Sequence, residues 1–300
     1  MLLAIGGSTN AIIHLTAIAG RAGVAISLDR LNAISDETPV LVDLKPSGDF
    51  YMEDFFNAGG LGAVLAELRP QLHESCLTVT GETLGARLDA APRYVDRGVI
   101  RPRSEPILAV GGLVALFGTL APDGAILKRS AADARLFETE AEAVVFDSLE
   151  DLSARVDDPD LPVTPESILV LKNAGPKGGP GMPEAGYLPI PQKLARAGVK
   201  DMVRISDARM SGTAFGTIVL HVTPEAAVGG PLALVATGDR IKLSVKERKL
   251  DLLVGETELA RRRATWKPVD VPARGYRKLY MDHVLQADHG CDFDFLRSRG

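Results

Sequence analysis

Short runs of apolar and β-branched residues, separated by glycine- and proline-containing turns, dominate the chain after residue 112. Runs of this kind predict strands buried on at least one face. Turns such as Pro-Asp-Gly at 122–124 separate several of them. The predicted strands lie at 113–120, 125–127, 143–146, 167–171, 202–205, 218–222, 240–244 and 249–253. This series of short strands with few helices favours a closed or nearly closed β-barrel.

The part before residue 104 has a different pattern, in which apolar residues recur at helical spacing between short extended runs. The predicted helices lie at 11–19, 28–35, 49–58, 62–68 and 80–90, and the predicted strands at 40–44 and 77–80. The segment 101–106 contains two prolines and several charges, which is typical of a boundary. We therefore predict an α/β region over 1–104 and a barrel-like domain over 105–300.

Composition narrows the class of protein. Hydrophobic residues make up 46% of the 300 residues and charged residues 24%, as in ordinary globular proteins. The net charge of −5 lacks the basic footprint of a nucleic-acid-binding protein. The two cysteines argue against a disulfide framework and fit a reducing cytoplasm. We see neither a signal peptide nor an apolar run long enough to span a membrane, so the expected location is cytoplasmic.

Two loops stand out at predicted strand ends. The first loop, 173–187, is rich in glycine and proline and carries Glu184, a carboxylate that a hard cation such as Mg²⁺ would take as a ligand. The second loop, 205–216, carries Ser211, which lies outside any Gly-x-Ser-x-Gly elbow. A predicted helix at 191–198 lies between them. A solvated glutamate and a turn serine remain the alternative interpretations.

A third candidate element is the start of the first helix. Ser8 or Thr9 is expected to cap it, and its N-terminus could receive the carboxylate of a substrate. An ordinary capped core helix is the alternative. His14, on the same helix, is expected to be packed against the protein.

Several motifs together resemble one family. GGSTNAIIHL at 6–15, GGPGMPE at 178–184 and ISDARMSGTAFG at 205–216 are similar to the dihydroxy-acid/phosphogluconate dehydratases. The resemblance extends over essentially the whole chain and is closest to the sugar-acid branch, the aldonate dehydratases of L-arabinonate type.

The resemblance implies a hydro-lyase that removes water from a sugar acid to give a 2-keto-3-deoxy acid, using Mg²⁺ and an iron–sulfur cluster. By position, Glu184 corresponds to a Mg²⁺ ligand and Ser211 to the base that takes the C2 proton. Residues of the matching motifs are candidates for substrate binding: Ser8, Thr9, Asn10, Arg209 and Thr213.

The chain also departs from the family pattern at the positions that hold the cofactors. Its cluster cysteines and further Mg²⁺ ligands lie in an N-terminal portion that this chain lacks, and Cys76 and Cys291 do not match the cluster motifs. Residues 1–104 would then be the tail of the family's N-terminal α/β domain. We expect the chain to be inactive without the missing half, and the full-length protein to be a homo-oligomer. Two alternatives stay open: a dihydroxy-acid dehydratase of branched-chain amino-acid synthesis, and a non-catalytic binding module.

Overall fold

The computed structural model describes residues 1–91, 94–212 and 215–298. Within these residues the helices and strands alternate at first, and strands then dominate. The helices are α1 Asn10–Arg21, α2 Leu28–Glu37, α3 Met52–Asn57, α4 Gly60–Glu67, α5 Leu84–Asp89, α6 Leu149–Arg155, α7 Gln192–Arg196, α8 Glu256–Thr265 and α9 Tyr276–His283. The strands are β1 Leu113–Leu116, β2 Gly124–Lys128, β3 Glu138–Phe146, β4 Ile168–Leu171, β5 Arg204–Ser206, β6 Ile218–Thr223, β7 Arg240–Ser244 and β8 Lys249–Leu252.

The strands form one sheet in the order β1-β2-β6-β5-β4-β3-β7-β8. A further bridge between Phe117 and Lys249 links the end of β1 to β8, so the sheet is nearly closed. The predicted barrel is thereby confirmed, and each of the predicted strands after residue 112 is present. Apolar side chains alternate along these strands: Ala143 and Val145 pack in one core, whereas Val144 and Phe146 pack in another.

Four neighbouring strands of this sheet are parallel. β3 pairs with β4, β4 with β5, and β5 with β6, all in parallel register. Parallel strands end at the same edge of a sheet, and loops at that edge are the usual place for a ligand site in α/β proteins. The segments after β3, β4, β5 and β6 therefore emerge together.

The described residues divide into two compact units. One comprises Met1–Gly7 and Ala33–Leu113, and the other comprises Ser8–Asn32 and Val114–Gly300. Helix α1 thus belongs to the same unit as the barrel, although it precedes the predicted boundary at residue 104. That the first part of the chain is the tail of an N-terminal domain remains a prediction.

The first unit has its own apolar core, which includes Leu41, Val64 and Ile100. The two strands predicted here, 40–44 and 77–80, are not regular strands. The first makes isolated bridges from Val40 and Val42, and the second makes one from Leu77. The apolar runs here were therefore not sufficient to predict strands, because a regular strand also needs a neighbouring strand that pairs with it over several residues. None of the helices in the described ranges is long and apolar enough to cross a membrane.

Candidate active site

The two loops lie side by side at the carboxyl edge of the parallel strands. The first loop follows β4 and the second begins at the end of β5, the next strand in the sheet. The Gly186 amide donates to the Arg209 carbonyl at 2.8 Å. Arg209 in turn donates from Nε to the Met182 carbonyl at 2.5 Å. A side chain at Gly186 would place its Cβ 2.8 Å from the Arg209 oxygen, so the close approach of the loops requires glycine there.

Glu184 meets two of the predicted site residues. Its Oε1 accepts a hydrogen bond of 2.6 Å from Asn10 Nδ2. The same oxygen lies 3.5 Å from Arg209 Nη1, as an ion pair. The Glu184 side chain is 41% exposed, so its carboxylate is open to a ligand from solvent. Helix α1, the first loop and the second loop therefore converge at this carboxylate.

The start of helix α1 also touches the second loop. Ser8 Oγ accepts from the Asn10 amide at 3.2 Å, which satisfies one of the free N–H groups of the helix terminus. Thr9 occupies the cap position, is buried, and makes no capping bond through its side chain in the described structure. A Cβ on Gly212 would lie 3.1 Å from Ser8 Cβ, so that glycine packs directly against Ser8.

Ser211 is half-buried and follows the buried Met210. The next residue, Gly212, is the one that packs against Ser8 at the start of helix α1. Thr213, the remaining predicted substrate-binding residue, lies outside the described residues. The roles of these residues stay predictions, although the structure brings Ser8, Asn10, Glu184 and Arg209 to one place.

A cavity of about 270 Å³ opens beside this cluster. Arg209 and Asn10 line one part of it, while Arg21 and Asp292 form a two-bond ion pair in another, with both bonds 2.7 Å long. His14 lines the cavity and is exposed, so the expectation that it is packed was wrong. The full lining is Asn10, Ile13, His14, Ala17, Arg21, Gly181, Met182, Arg209, Tyr280, Gly290, Cys291 and Asp292.

Comparison with known proteins places this site in a family. Residues 98–291 match the dihydroxy-acid/6-phosphogluconate dehydratase C-terminal domain, and residues 1–87 match the N-terminal domain of the same family. The chain belongs to this dehydratase family.

The chain is similar along most of its length to several proteins named as dehydratases. The chain is 52% identical over 300 residues to 6-deoxy-6-sulfo-D-gluconate dehydratase of Pseudomonas putida, covering 99% of the chain and 52% of that protein. It is 52% identical to L-arabonate dehydratase of Azospirillum brasilense, with 98% and 52% covered. Dihydroxy-acid dehydratase of Pyrococcus abyssi is 42% identical, with 97% and 52% covered. The chain thus spans about half the length of these relatives.

Two buried carboxylates of this dehydratase chain were not singled out from the sequence. Asp207, in the second loop, accepts from the amides of Ala174 at 3.0 Å and Ala226 at 2.9 Å. Burial, reinforced by the nearby charge of Glu225, raises the pKa of Asp207 to about 7. Burial also raises the pKa of Glu225. In sequence both resemble solvated loop acids, and only their contacts with distant amides distinguish them.

Two basic groups near the barrel strands are also buried. Burial, together with the positive charge of Arg209, lowers the pKa of His221 to about 3, so its imidazole is neutral. Burial lowers the pKa of Lys128 to about 8. An alternating apolar strand pattern contains no signal that would have marked either residue, since buried polar groups are exceptions to it.

The donor atoms of the described residues fit one of the two implied cofactors. Glu184 fits Mg²⁺, which binds through one or two carboxylates and keeps several waters. No cluster of three or more metal-binding side chains occurs in the described ranges. The iron–sulfur cluster does not fit this chain's cysteines. Cys76 and Cys291 belong to different units, and burial raises the pKa of the Cys291 thiol to about 12, which opposes the thiolate that a cluster needs.

Proposed function

We propose that this chain is part of a hydro-lyase that converts a sugar acid to its 2-keto-3-deoxy acid. The observation that carries the proposal is the convergence of Glu184, Asn10 and Arg209 at the carboxyl edge of the parallel strands. Ser211 follows Arg209 by two residues in the second loop. The site thus combines a cation-binding carboxylate, a fixed cation for an anionic substrate, and a hydroxyl. Membership of the dehydratase family supports assigning these groups to dehydration.

The names of the relatives and the charge of Arg209 support the proposed substrate class. The two relatives at 52% identity are named for sugar acids, and the dihydroxy-acid dehydratase is less similar at 42%. We therefore favour an aldonate over the branched dihydroxy-acid, which is the second candidate. Arg209 and the amides at the start of helix α1 are suited to the substrate's carboxylate. Ser8, Thr9 and Thr213 stay candidates for substrate binding because of their places in the matching motifs.

Ser211 is proposed as the base. Its ionised Oγ would take the proton from C2, and the electrons of that C–H bond would form the C2–C3 double bond as the C3–O bond breaks. The departing hydroxide would take up that proton from Ser211, so that water is released and the serine returns to its starting state. The resulting enol then becomes the 2-keto acid. A serine hydroxyl is a weak base unless positive charge stabilises its ionised form. Arg209, on the same loop and fixed by the Met182 carbonyl, would supply such charge.

Glu184 would hold Mg²⁺, and Asn10 orients it by donating to Oε1. Bound Mg²⁺ supplies charge stabilisation for the oxygens of a carboxylate substrate during proton removal. The cysteines of this chain do not fit an iron–sulfur cluster, so the proton transfer is assigned to its other side chains. We also propose that the enzyme is cytoplasmic and homo-oligomeric, and that its turnover needs the half of the relatives' length that this chain does not span.

The test is turnover of L-arabinonate, D-xylonate and a branched 2,3-dihydroxy acid, measured as 2-keto acid. The purified chain is prepared without oxygen and supplied with iron, sulfide and Mg²⁺, alone and with the half of a relative that this chain does not span added in trans. We expect product only with the added half, and faster with the sugar acids. Faster turnover of the branched acid would favour the second candidate. The absence of product with every acid in the complemented enzyme would favour a binding module.

A further inference from the structure

Two buried carboxylates accept hydrogen bonds from the backbone of the first loop. They lie at the ends of β5 and β6, the two strands that follow this loop in the chain. Asp207 follows β5 and Glu225 follows β6, and each side chain is 1% exposed. Buried carboxylates are costly unless their oxygens are hydrogen-bonded. Here the donors are mostly backbone amides of the loop that carries Glu184.

Glu225 makes the densest set of these contacts. The Lys177 amide lies 3.0 Å from Oε1 and 2.9 Å from Oε2, and the Gly178 amide lies 2.9 Å from Oε2. Two consecutive N–H groups that converge on one anion form a nest, which fixes the local backbone. A Cβ on Gly175 would lie 2.7 Å from Glu225 Oε2, so the close approach of the carboxylate requires a glycine at that position.

The other side of Glu225 is tied to the C-terminal segment. Gln286 Nε2 donates to Glu225 Oε1 at 2.6 Å, and the Glu225 amide donates back to Gln286 Oε1 at 2.9 Å. This reciprocal pair fixes the rotamer of the carboxylate. Asp207 anchors the loop at a second point through the Ala174 amide. The loop is therefore restrained at residues 174 and 177–178, just before the part that reaches Glu184.

We propose that Glu225 is a positioning residue, which fixes the first loop so that Glu184 points to Asn10 and Arg209. Asp207 and Gln286 support it. This inference rests on the proposed function only in naming the task of Glu184. The restraint of the loop itself is a property of the chain without substrate or metal.

The test compares Glu225→Gln with the unchanged chain by NMR. Glutamine keeps the size of the side chain but removes its charge and replaces one acceptor oxygen with a donor, so either the Gly178 amide or Gln286 Nε2 loses its acceptor. We expect hydrogen exchange at the Lys177 and Gly178 amides to accelerate at least tenfold, while amides of β4 and β6 keep their rates. The Asn10 side-chain amide resonance should shift toward its position in Glu184→Gln, because both changes weaken the same hydrogen bond.

The matched control is Glu140→Gln, which neutralises an exposed carboxylate on β3. It should leave loop exchange and the Asn10 resonance unchanged. If Glu225→Gln does not fold, Gly175→Ala gives the same comparison, because its Cβ would displace the carboxylate while leaving it charged. Unchanged loop exchange, or acceleration spread equally over the barrel strands, would overturn the proposal. Neither readout depends on turnover, so a failure here is distinct from a failure of the proposed function.

Discussion

Arg204 is a fully buried arginine on β5 that connects the ends of both loops. Its Nη2 donates to Asp201 Oδ1 at 2.7 Å, and its Nη1 donates to the Leu188 carbonyl at 2.9 Å, just beyond the first loop. Asp201 also accepts from the Thr217 amide at 2.8 Å, just beyond the second loop. The guanidinium lies 5.6 Å from the centre of the Tyr187 ring. Replacing Arg204 with methionine would remove this connection while keeping much of the apolar volume.

We expect Arg204→Met to lower the free energy of unfolding substantially, because it leaves the Asp201 carboxylate without its partner. The side chains of Arg204 and Asp201 are 1% and 10% exposed, so the carboxylate would stay buried without its cation. Breaking a buried ion pair from one side typically costs about 3–5 kcal/mol. That is a large share of the roughly 5–15 kcal/mol by which domains are stable.

Urea unfolding measures this cost directly. The matched control is Arg240→Met, which breaks an ion pair with Glu140 in the same sheet. Those side chains are 51% and 45% exposed, so we expect a change below about 1 kcal/mol. Arg204→Lys should fall between the two, since it keeps the charge and loses the planar donors. If Arg204→Met costs no more than Arg240→Met, the assignment of Arg204 as the link between the loops is wrong.

Three further predictions concern the loops. Because the pKa of Asp207 is raised from 3.8 to about 7, its contribution to stability is present below about pH 4 and is lost as the pH rises to about 7. In urea melts, the free energy of unfolding of Asp207→Asn should therefore rise by up to about 4 kcal/mol relative to that of the unchanged chain between about pH 4 and pH 7. The same dependence of the unfolding free energy on pH in both proteins would contradict this. Gly178→Ala should destabilise the chain by about 1–3 kcal/mol, since its Cβ would lie 2.6 Å from the Asn173 backbone. Gly181→Ala should cost about 1 kcal/mol, because its Cβ meets open space and only the positive φ opposes the change. The reverse order in urea melts would contradict the packing described for this loop. Glu184→Gln should weaken Mg²⁺ binding at least tenfold by calorimetry, and equal affinity would remove it as a ligand.

Much of the barrel was predictable because each strand has a local signal. The apolar runs after residue 112 marked each strand, since β-branched residues between glycine and proline turns favour extended backbone, but they missed the mostly polar residues 138–142 of β3. The order of the strands, and which two of them meet to close the sheet, were not predictable, because the bridge from Phe117 to Lys249 joins residues far apart in the chain. The runs at 40–44 and 77–80 carry the same local signal and lack a continuous pairing partner.

The site was predictable only in part for a similar reason. Motifs identified Glu184 and Ser211 on neighbouring loops, and the parallel pairing of β4 with β5 explains why those loops meet. Asn10 was a candidate for substrate contact, yet its hydrogen bond to Glu184 spans 174 positions in the chain. Glu225 follows a threonine and a proline and looks like a turn acid. Its burial arises from the packing of distant segments, which no local pattern encodes.

The most direct test of the central claim is the rate of 2-keto acid formation from L-arabinonate by the complemented enzyme carrying Ser211→Ala. Ser104→Ala, at an exposed position in the first unit, is the matched control. Loss of a positioned base typically lowers the rate about 10²–10⁴-fold. We predict a loss of that size for Ser211→Ala, with KM little changed and Ser104→Ala fully active. A Ser211→Ala enzyme that keeps its full rate would contradict the assignment of Ser211 as the base that removes the C2 proton.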